Sequence, residues 1–247
     1  MKTDKYQRRF YRDWVKEKGL YVTQITVKET DLQVLTDKPA DQDFIRERIL
    51  SYRRDLEDYI TKDRKFLTSL KPIAVELNAP AIIKDIAAQA QRASVGPMAA
   101  VAGALAQYLG QDMLKKGWRE VIIENGGDIF MKIKKIRNIA IYAGKSRLSG
   151  KLGLRIKPKD TPLGIATSSG TVGHSLNFGN ADAVIVLGGN AILADAVATA
   201  ASNLVKTQED FPRAIDFVKT ISGIRGLVVI MENNLASWGE IEFVKLH

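Results

Sequence analysis

Cysteine is absent from the 247-residue sequence, and histidine is scarce. The lack of cysteine excludes disulfides, thiolate metal sites, iron–sulfur clusters and cysteine nucleophiles. The two histidines are His174 and the terminal His247. A catalytic base of the imidazole type would therefore be His174, although the same ring could instead hold loop backbone through hydrogen bonds.

Long apolar runs are also missing. No segment reaches the roughly 18 consecutive apolar residues of a membrane-spanning helix, and no apolar stretch follows the basic N-terminus. We therefore expect a cytoplasmic protein with neither a signal peptide nor a membrane partner. Hydrophobic residues still make up 45% of the chain, which is enough for a substantial core.

Acidic residues are absent between Lys132 and Lys159, where ten Lys or Arg residues occur. The whole chain carries a net charge of +9, so the rest of it is close to neutral. Two interpretations remain open: a local patch that attracts anions, or strand faces whose edges lysine protects. Aromatic residues are few in this segment and no nucleic-acid motif accompanies it, so we expect no nucleic-acid partner. Walker, dinucleotide-binding and HExxH motifs are absent as well.

The first half of the chain has two kinds of hydrophobic pattern, the alternation typical of strands and the spacing typical of helices. Alternating apolar residues predict a hairpin that turns near 29–31, and helical spacing predicts an amphipathic helix within 41–69. We then expect a strand from residue 73 and an alanine-rich helical region, which Gly96–Pro97 divides in two. A buried strand over 121–123 follows.

The second half is richer in strands. The basic segment alternates over 139–143 and 152–156, which predicts two strands there. Near the end of the chain we expect a short helix over 210–222 and strands over 227–231 and 240–246. Helices and strands are thus predicted in both halves of the chain.

Two pairs of segments resemble one another across the halves. Residues 81–90 align with 191–200, which matches Asp85 with Asp195, and residues 121–127 resemble 228–234. These matches predict an internal duplication of strand-helix-strand units. The predicted repeats span roughly 73–128 and 183–234.

A run of hydroxyl residues and glycines lies in the middle of the second half. Such a composition leaves backbone N–H groups free to face an anion, so we expect a phosphate-binding loop, with a plain polar loop as the alternative. Its candidate residues are Thr167, Ser168, Ser169, Gly170, Thr171, Gly173 and Ser175.

Asp195 and Thr199 lie four residues apart in an alanine-rich helical segment. This spacing places both side-chain oxygens on one face, where they could hold a hard cation such as Mg²⁺. The alternative is that Asp195 caps a helix. The first copy has Gln89 in place of Thr199, so only the second copy has the residues for a cation.

A polar turn ends the buried strand over 121–123. It consists of Asn125, Gly126, Gly127 and Asp128, and the glycines permit a sharp turn or close contact with a ligand. Asn125 and Asp128 could bind that ligand or simply close the turn.

Five segments of the chain read VGPMAAVAGA, ENGGDI, IYAG, TSSGTVGHS and ADAVATA. Together they resemble the ApbE superfamily of FAD:protein FMN transferases, and most closely its uncharacterised conserved-protein branch. The resemblance covers most of the chain and implies a single ApbE-like domain over 1–247. The implied fold is α+β, with internally duplicated strand-helix-strand units and mixed sheets. It further implies that Asp195 and Thr199 bind Mg²⁺ beside FAD or FMN, with a main-chain carbonyl near 96–99 as a further ligand.

The sequence also departs from the transferases at two places. Their H-x-x-x-P-x-T-G segment is replaced by GHSLNFGNADA, and their Lys-Gly is replaced by Pro97–Met98. The resemblance implies Mg²⁺-dependent binding of a flavin nucleotide or related phosphate-bearing small molecule, with FMN transfer or pyrophosphate cleavage as the reaction. The departures keep open a non-catalytic ligand-sensing or assembly protein with the same fold. A homodimer is compatible with either function.

Overall fold

A computed structural model describes residues 19–171 and 177–246. In this part of the chain, helices cover one face of a large sheet, and a small sheet covers the other face. The strands are β1 (Tyr21–Val27), β2 (Thr30–Thr36), β3 (Val121–Asn125), β4 (Asp128–Lys132), β5 (Arg137–Ala140), β6 (Leu152–Ile156), β7 (Leu163–Ser168), β8 (Ala183–Gly188), β9 (Ile224–Met231), β10 (Asn234–Gly239) and β11 (Phe243–Lys245). The helices are α1 (Gln42–Lys62), α2 (Lys65–Thr68), α3 (Ala81–Arg92), α4 (Val101–Lys115), α5 (Ala191–Leu204) and α6 (Phe211–Lys219).

The large sheet has eight strands in the order β1-β2-β3-β4-β7-β8-β9-β10. The small sheet has the order β11-β6-β5. The predicted α+β class is confirmed, but the expected mixed sheets are wrong, because the strand pairs in the described residues are antiparallel. The path from β8 to β9 explains the difference. Two helices, α5 and α6, carry the chain away and back, so β9 starts where β8 ends, with Ile224 opposite Gly188.

The order hairpin, helices, hairpin occurs twice along the chain. The first set is β1-β2, helices α1 to α4, and β3-β4; the second is β7-β8, helices α5 and α6, and β9-β10. Strands β4 and β7 join the two sets through three paired positions, which run from Ile129 opposite Ile165 to Met131 opposite Leu163. Each repeated unit is thus longer than the predicted 73–128 and 183–234. A common origin of the two halves stays a prediction.

Local signals place several helices as expected. Asp41 caps α1, since its side chain accepts a hydrogen bond from the Phe44 N–H, and the helix buries the face that includes Ile45, Ile49 and Leu56. Gly96 and Pro97 do interrupt the alanine-rich region: a short 3₁₀ helix over Pro97–Ala100 leads into α4.

Two segments differ from the sequence-based expectation. Residues 73–77 form no strand, because Ile73 and Val75 pack against the core from an irregular segment without a pairing partner. Strand β10 was not predicted, because Leu235 and Trp238 are only partly buried and lie in no apolar run.

The small sheet carries the predicted basic strands and is fixed at one end. Arg137 at the start of β5 forms an ion pair with Glu120, at 2.7 Å between Nη2 and Oε1, and both side chains are buried. At the same end, Arg225 donates a hydrogen bond to the Asp160 carbonyl and Lys132 donates one to the Thr161 carbonyl. The small sheet therefore joins the large one where β3, β7 and β9 begin.

Candidate functional site

Helices α4 and α5 approach each other closely because small residues line their contact. A Cβ added at Gly103 would lie 2.4 Å from the Ala191 carbonyl oxygen and 2.9 Å from the Asp195 Cβ. A Cβ at Gly164 of β7 would likewise lie 2.3 Å from the Ala191 Cα. The alanine-rich composition read from the sequence thus serves tight packing at this point.

Asp195 lies within α5 and is only 9% exposed. Its Oδ2 accepts a hydrogen bond of 2.8 Å from the Gly103 N–H, which belongs to the first turn of α4. Asp195 thus caps the neighbouring helix rather than its own, and α4 has no side-chain cap of its own. Burial raises the pKa of Asp195 to about 7, and the hydrogen bond from Gly103 opposes that rise.

A side chain of α4 in turn accepts a hydrogen bond from the first backbone N–H of α5. The Gln107 Oε1 accepts a hydrogen bond of 2.6 Å from the Ala191 N–H, and Asn190 caps α5 by accepting one of 3.0 Å from the Leu193 N–H. The two helix starts are therefore held together by polar side chains in a buried setting.

Thr199 lies one turn beyond Asp195 and is partly exposed. The spacing of four residues in a continuous helix places its hydroxyl on the same side as the Asp195 carboxylate. The 3₁₀ helix over Pro97–Ala100 packs against α5. This is the segment from which the resemblance implies a carbonyl ligand.

The Asn125 side chain reaches the same first turn of α4. Its Nδ2 donates a hydrogen bond of 3.1 Å to the Ala102 carbonyl. Ala102 and Gly103 share one peptide group, so Asn125 holds its carbonyl while Asp195 holds its N–H. Asp128 pairs with Asn125 across the β3-β4 hairpin and is also buried, so both point to the helix side of the sheet.

The turn between β3 and β4 requires its glycines. Gly126 and Gly127 have φ angles of 69° and 104°, and the Glu124 Oε1 accepts a hydrogen bond of 2.9 Å from the Gly127 N–H. A Cβ at Gly127 would lie 3.6 Å from the Cβ of Thr167. The polar turn and the start of the hydroxyl loop, which are far apart in the sequence, are therefore neighbours.

The described part of the hydroxyl loop is largely bonded to itself and its surroundings. The Gly170 N–H donates to the Ala181 carbonyl, and the Thr171 N–H donates to the Ser169 hydroxyl. The Thr171 hydroxyl donates to the Asp182 carboxylate. These groups hold the loop in place, so an anion here would have to displace or supplement existing bonds.

Thr167 and Ser168 point to opposite faces of the large sheet. Ala166 packs against the helices and Ile165 against the small sheet, so alternation places Ser168 on the helix side and Thr167 on the other. The Asn177 Nδ2 joins the Ser168 and Ser202 hydroxyls at 2.7 and 2.8 Å. Ser168 is thereby tied to α5, while Thr167 adjoins Gly127.

Three predicted site residues, Gly173, His174 and Ser175, lie outside the described residues. Within the described ranges, no group of three or more His, Asp or Glu side chains is placed to hold a metal ion. A cation at Asp195 would therefore depend on hydroxyl and carbonyl oxygens for its other protein ligands.

Sequence reasoning missed Gly103, Gln107 and Ser202, which all contribute to the polar contacts of this region. Gly103 belongs to the second part of the predicted alanine-rich helical region. Its partner could not be named, because helix crossings bring distant residues together. Gln107 and Ser202 carried no recognisable signal.

Comparison with known proteins places the chain in a family. A family model described as "AbpE bacteria" matches residues 12–220. The chain belongs to this family. A UPF0280 protein from Methanococcus maripaludis is 40% identical over 222 residues, covering 88% of this chain and 90% of the relative. A UPF0280 protein from Methanocaldococcus jannaschii is 39% identical over 227 residues, covering 90% and 92%.

Solved structures of ApbE proteins share the fold. The flavin transferase ApbE from Vibrio cholerae aligns with a TM-score of 0.59 at 14% identity, covering 90% of this chain and 97% of that chain. The ApbE protein from Thermotoga maritima aligns with a TM-score of 0.60 at 14% identity, covering 90% and 96%. The resemblance to an ApbE-like branch is thus confirmed, and the solved structures show that the fold is shared. No helix among the described residues is both long and apolar enough to traverse a bilayer.

Proposed function

We propose that this protein binds a flavin nucleotide, FAD or FMN, or a related phosphate-bearing ligand with Mg²⁺ held by Asp195 and Thr199. The observation that carries the proposal is the state of Asp195. Its carboxylate is almost fully buried, it accepts one hydrogen bond from the described residues, and it forms no ion pair with them. A buried carboxylate in such a setting is costly unless a positive charge compensates it.

The residues around Asp195 fit a small hard cation. A carboxylate and a hydroxyl on one helix face, together with the nearby backbone of the 3₁₀ helix, provide the oxygen ligands that Mg²⁺ prefers. When bound, Mg²⁺ would neutralise phosphate charge and polarise a pyrophosphate bond. The protein's own contribution is to exclude water from Asp195 and to fix its carboxylate through the Gly103 N–H.

A non-catalytic ligand-sensing or assembly protein with this fold is the second candidate. Two observations favour it: the N–H groups of Gly170 and Thr171 are engaged within the protein, and the Pro-x-Thr-Gly motif of the transferases is absent. Under this candidate Asp195 acts only as the cap of α4.

The first experiment measures ligand binding directly. The purified protein is incubated with FAD and millimolar Mg²⁺, freed of unbound ligand, and examined for flavin absorbance; a parallel sample contains EDTA. We expect retained flavin that depends on Mg²⁺. Absence of flavin from the Mg²⁺ sample would refute the proposed function.

Substitutions at the two proposed ligands test the assignment. Asp195→Asn keeps the shape and the ability to accept the Gly103 N–H, and Thr199→Val keeps the branched shape without the hydroxyl. We expect each to weaken Mg²⁺-dependent FAD binding at least tenfold in calorimetric titration, while thermal unfolding remains cooperative. Binding by Asp195→Asn that equals the wild type would leave capping as its role, since Asn and Asp cap about equally well.

The chain offers a matched control in its first half. Asp85 aligns with Asp195 in the predicted duplication, but it is exposed on α3 and accepts a hydrogen bond from the Tyr108 hydroxyl. Asp85→Asn removes the same charge from a similar sequence context and should leave FAD binding unchanged. Mass spectrometry of a flavin-acceptor protein incubated with FAD then separates an active transferase from the non-catalytic candidate, because transfer adds the mass of FMN.

A further inference from the structure

The ten cations between Lys132 and Lys159 divide into three groups by their surroundings. Four are engaged: Arg137 with Glu120, Arg155 and Lys157 with Glu242, and Lys132 with the Thr161 carbonyl. The other six form no ion pair with any described residue. Lys134, Lys135 and Lys159 lie at one end of the small sheet, and Lys145, Arg147 and Lys151 lie in the loop at its other end.

The loop over 144–151, here called the cationic loop, connects β5 and β6 at one end of the small sheet. The start of β5 and the segment after β6 are tied to the large sheet through Arg137, Lys132 and Arg225. Strand β5 leads away from those ties, and the residues after it, Ile141 and Ala143, are buried in the cluster between the sheets. The cationic loop therefore lies at the end of the small sheet that is remote from its attachments to the large sheet.

The cationic loop has a fixed conformation. Ser146 is buried, its hydroxyl accepts from the Leu148 N–H, and the Ser149 hydroxyl accepts from the Ala143 N–H. The Gly150 N–H closes the loop by donating to the Ile141 carbonyl. Because these bonds already order the loop, its backbone loses little conformational entropy on binding an anion.

The backbone of the cationic loop adds free donors. The N–H groups of Gly144, Lys145 and Arg147 donate to no described residue, while those of Ser146, Leu148 and Ser149 are engaged. Gly144 has a φ of 49°, a left-handed conformation that allows successive N–H groups to converge on an anion. Exposed side chains of Lys145, Arg147 and Lys151 surround these groups.

From this combination we infer that the cationic loop is a second anion-binding site, which binds a phosphate or pyrophosphate group through Lys145, Arg147, Lys151 and the free N–H groups of the loop. It lies on the small-sheet side, whereas Asp195 lies on the helix side. The site itself does not require Mg²⁺. That one ligand contacts both the cationic loop and Asp195 rests on the proposed function.

Inorganic pyrophosphate in EDTA tests the loop without the metal. We compare the wild type with two triple variants that each remove three cations: Lys145→Gln/Arg147→Gln/Lys151→Gln and Lys134→Gln/Lys135→Gln/Lys159→Gln. We expect calorimetric titration to show at least tenfold weaker binding for the first triple variant and less than threefold weaker binding for the second. Equal weakening by both would show a general effect of net charge and overturn the inference, as would no binding by the wild type.

A second arm separates the two proposals. Asp195→Asn should bind pyrophosphate in EDTA like the wild type, because the inferred site lies on the other side of the sheet. In Mg²⁺, the first triple variant should bind FAD more weakly than the second. Pyrophosphate binding that depends on the loop, without any FAD binding, would support the second site and refute the flavin proposal. Suppose that Asp195→Asn abolishes FAD binding and the first triple variant leaves it intact. The cationic loop would then not contact the flavin nucleotide, and its use by the same ligand as Asp195 would be refuted.

Discussion

At the scale of single residues, the protonation of Asp195 is the property most open to measurement. Burial raises its pKa in the folded protein to about 7, from an ordinary value of 3.8. The folded state thus retains a proton that the unfolded state releases between these two pH values. The stabilisation from protonated Asp195 is complete below pH 3.8 and is lost as the pH rises to 7.

We therefore predict that, in metal-free buffer, the free energy of unfolding falls between pH 4 and 7 more steeply for the wild type than for Asp195→Asn. A shift of about three pKa units corresponds to an upper limit of roughly 4 kcal/mol. Denaturant unfolding at a series of pH values measures the difference between the two proteins. Mg²⁺ should reduce it, because a cation favours the ionised carboxylate. Identical pH profiles would contradict the burial argument.

Gly103 provides a second test at the residue scale. Alanine is the better helix former by about 1 kcal/mol, but its Cβ would overlap the Ala191 carbonyl oxygen at 2.4 Å and press on Asp195. We predict that Gly103→Ala destabilises the protein by about 1 to 3 kcal/mol, as overpacking does, and also weakens metal-dependent binding. Gly189→Ala is the control, since nothing lies within 4 Å of its added Cβ. If Gly103→Ala were as stable as the control, α4 and α5 would be able to move apart at little energetic cost, which would contradict the prediction.

At the scale of secondary-structure elements, the attachment of the small sheet depends on the buried pair of Arg137 and Glu120. We predict that Arg137→Met destabilises the protein by about 3 to 5 kcal/mol, because Glu120 is left buried without its cation. The double variant Arg137→Met/Glu120→Leu should recover much of that loss. Chemical denaturation of the two single variants and the double variant gives the coupling energy. Additive losses would show that the pair contributes no coupling.

Periodicity predicted most elements but not those that depend on distant partners. The β1-β2 hairpin, α1 and the break at Gly96–Pro97 follow from local pattern and were predicted. The strand expected from residue 73 is wrong because an apolar residue can pack without pairing. Strand β10 was missed because its residues are at most partly buried and its pairing with β9 leaves no apolar pattern in the sequence. Helix ends shifted by a few residues, as expected where no cap residue marks them.

At the scale of the whole molecule, the sequence singled out the polar motifs but did not predict how they are arranged. Asn125, Gly127, Thr167 and Asp195 were all singled out, and the structure brings Gly127 beside Thr167 and joins Asn125 to Asp195 through one peptide group of α4. The opposite orientations of Thr167 and Ser168 could not be predicted, because they depend on which face of β7 the helices cover.

The joint between the two halves, where β4 pairs with β7, has a consequence for how such a chain could have evolved. If the two halves descend from one ancestor, then β7 corresponds to β1, and the joint corresponds to the last strand of one copy beside the first strand of the next. Such head-to-tail association leaves a free edge at each end and can continue without limit. Fusion of two copies into one chain would have fixed the number at two. Asp195, whose partner Gly103 belongs to the other half, would then lie at a former boundary between subunits.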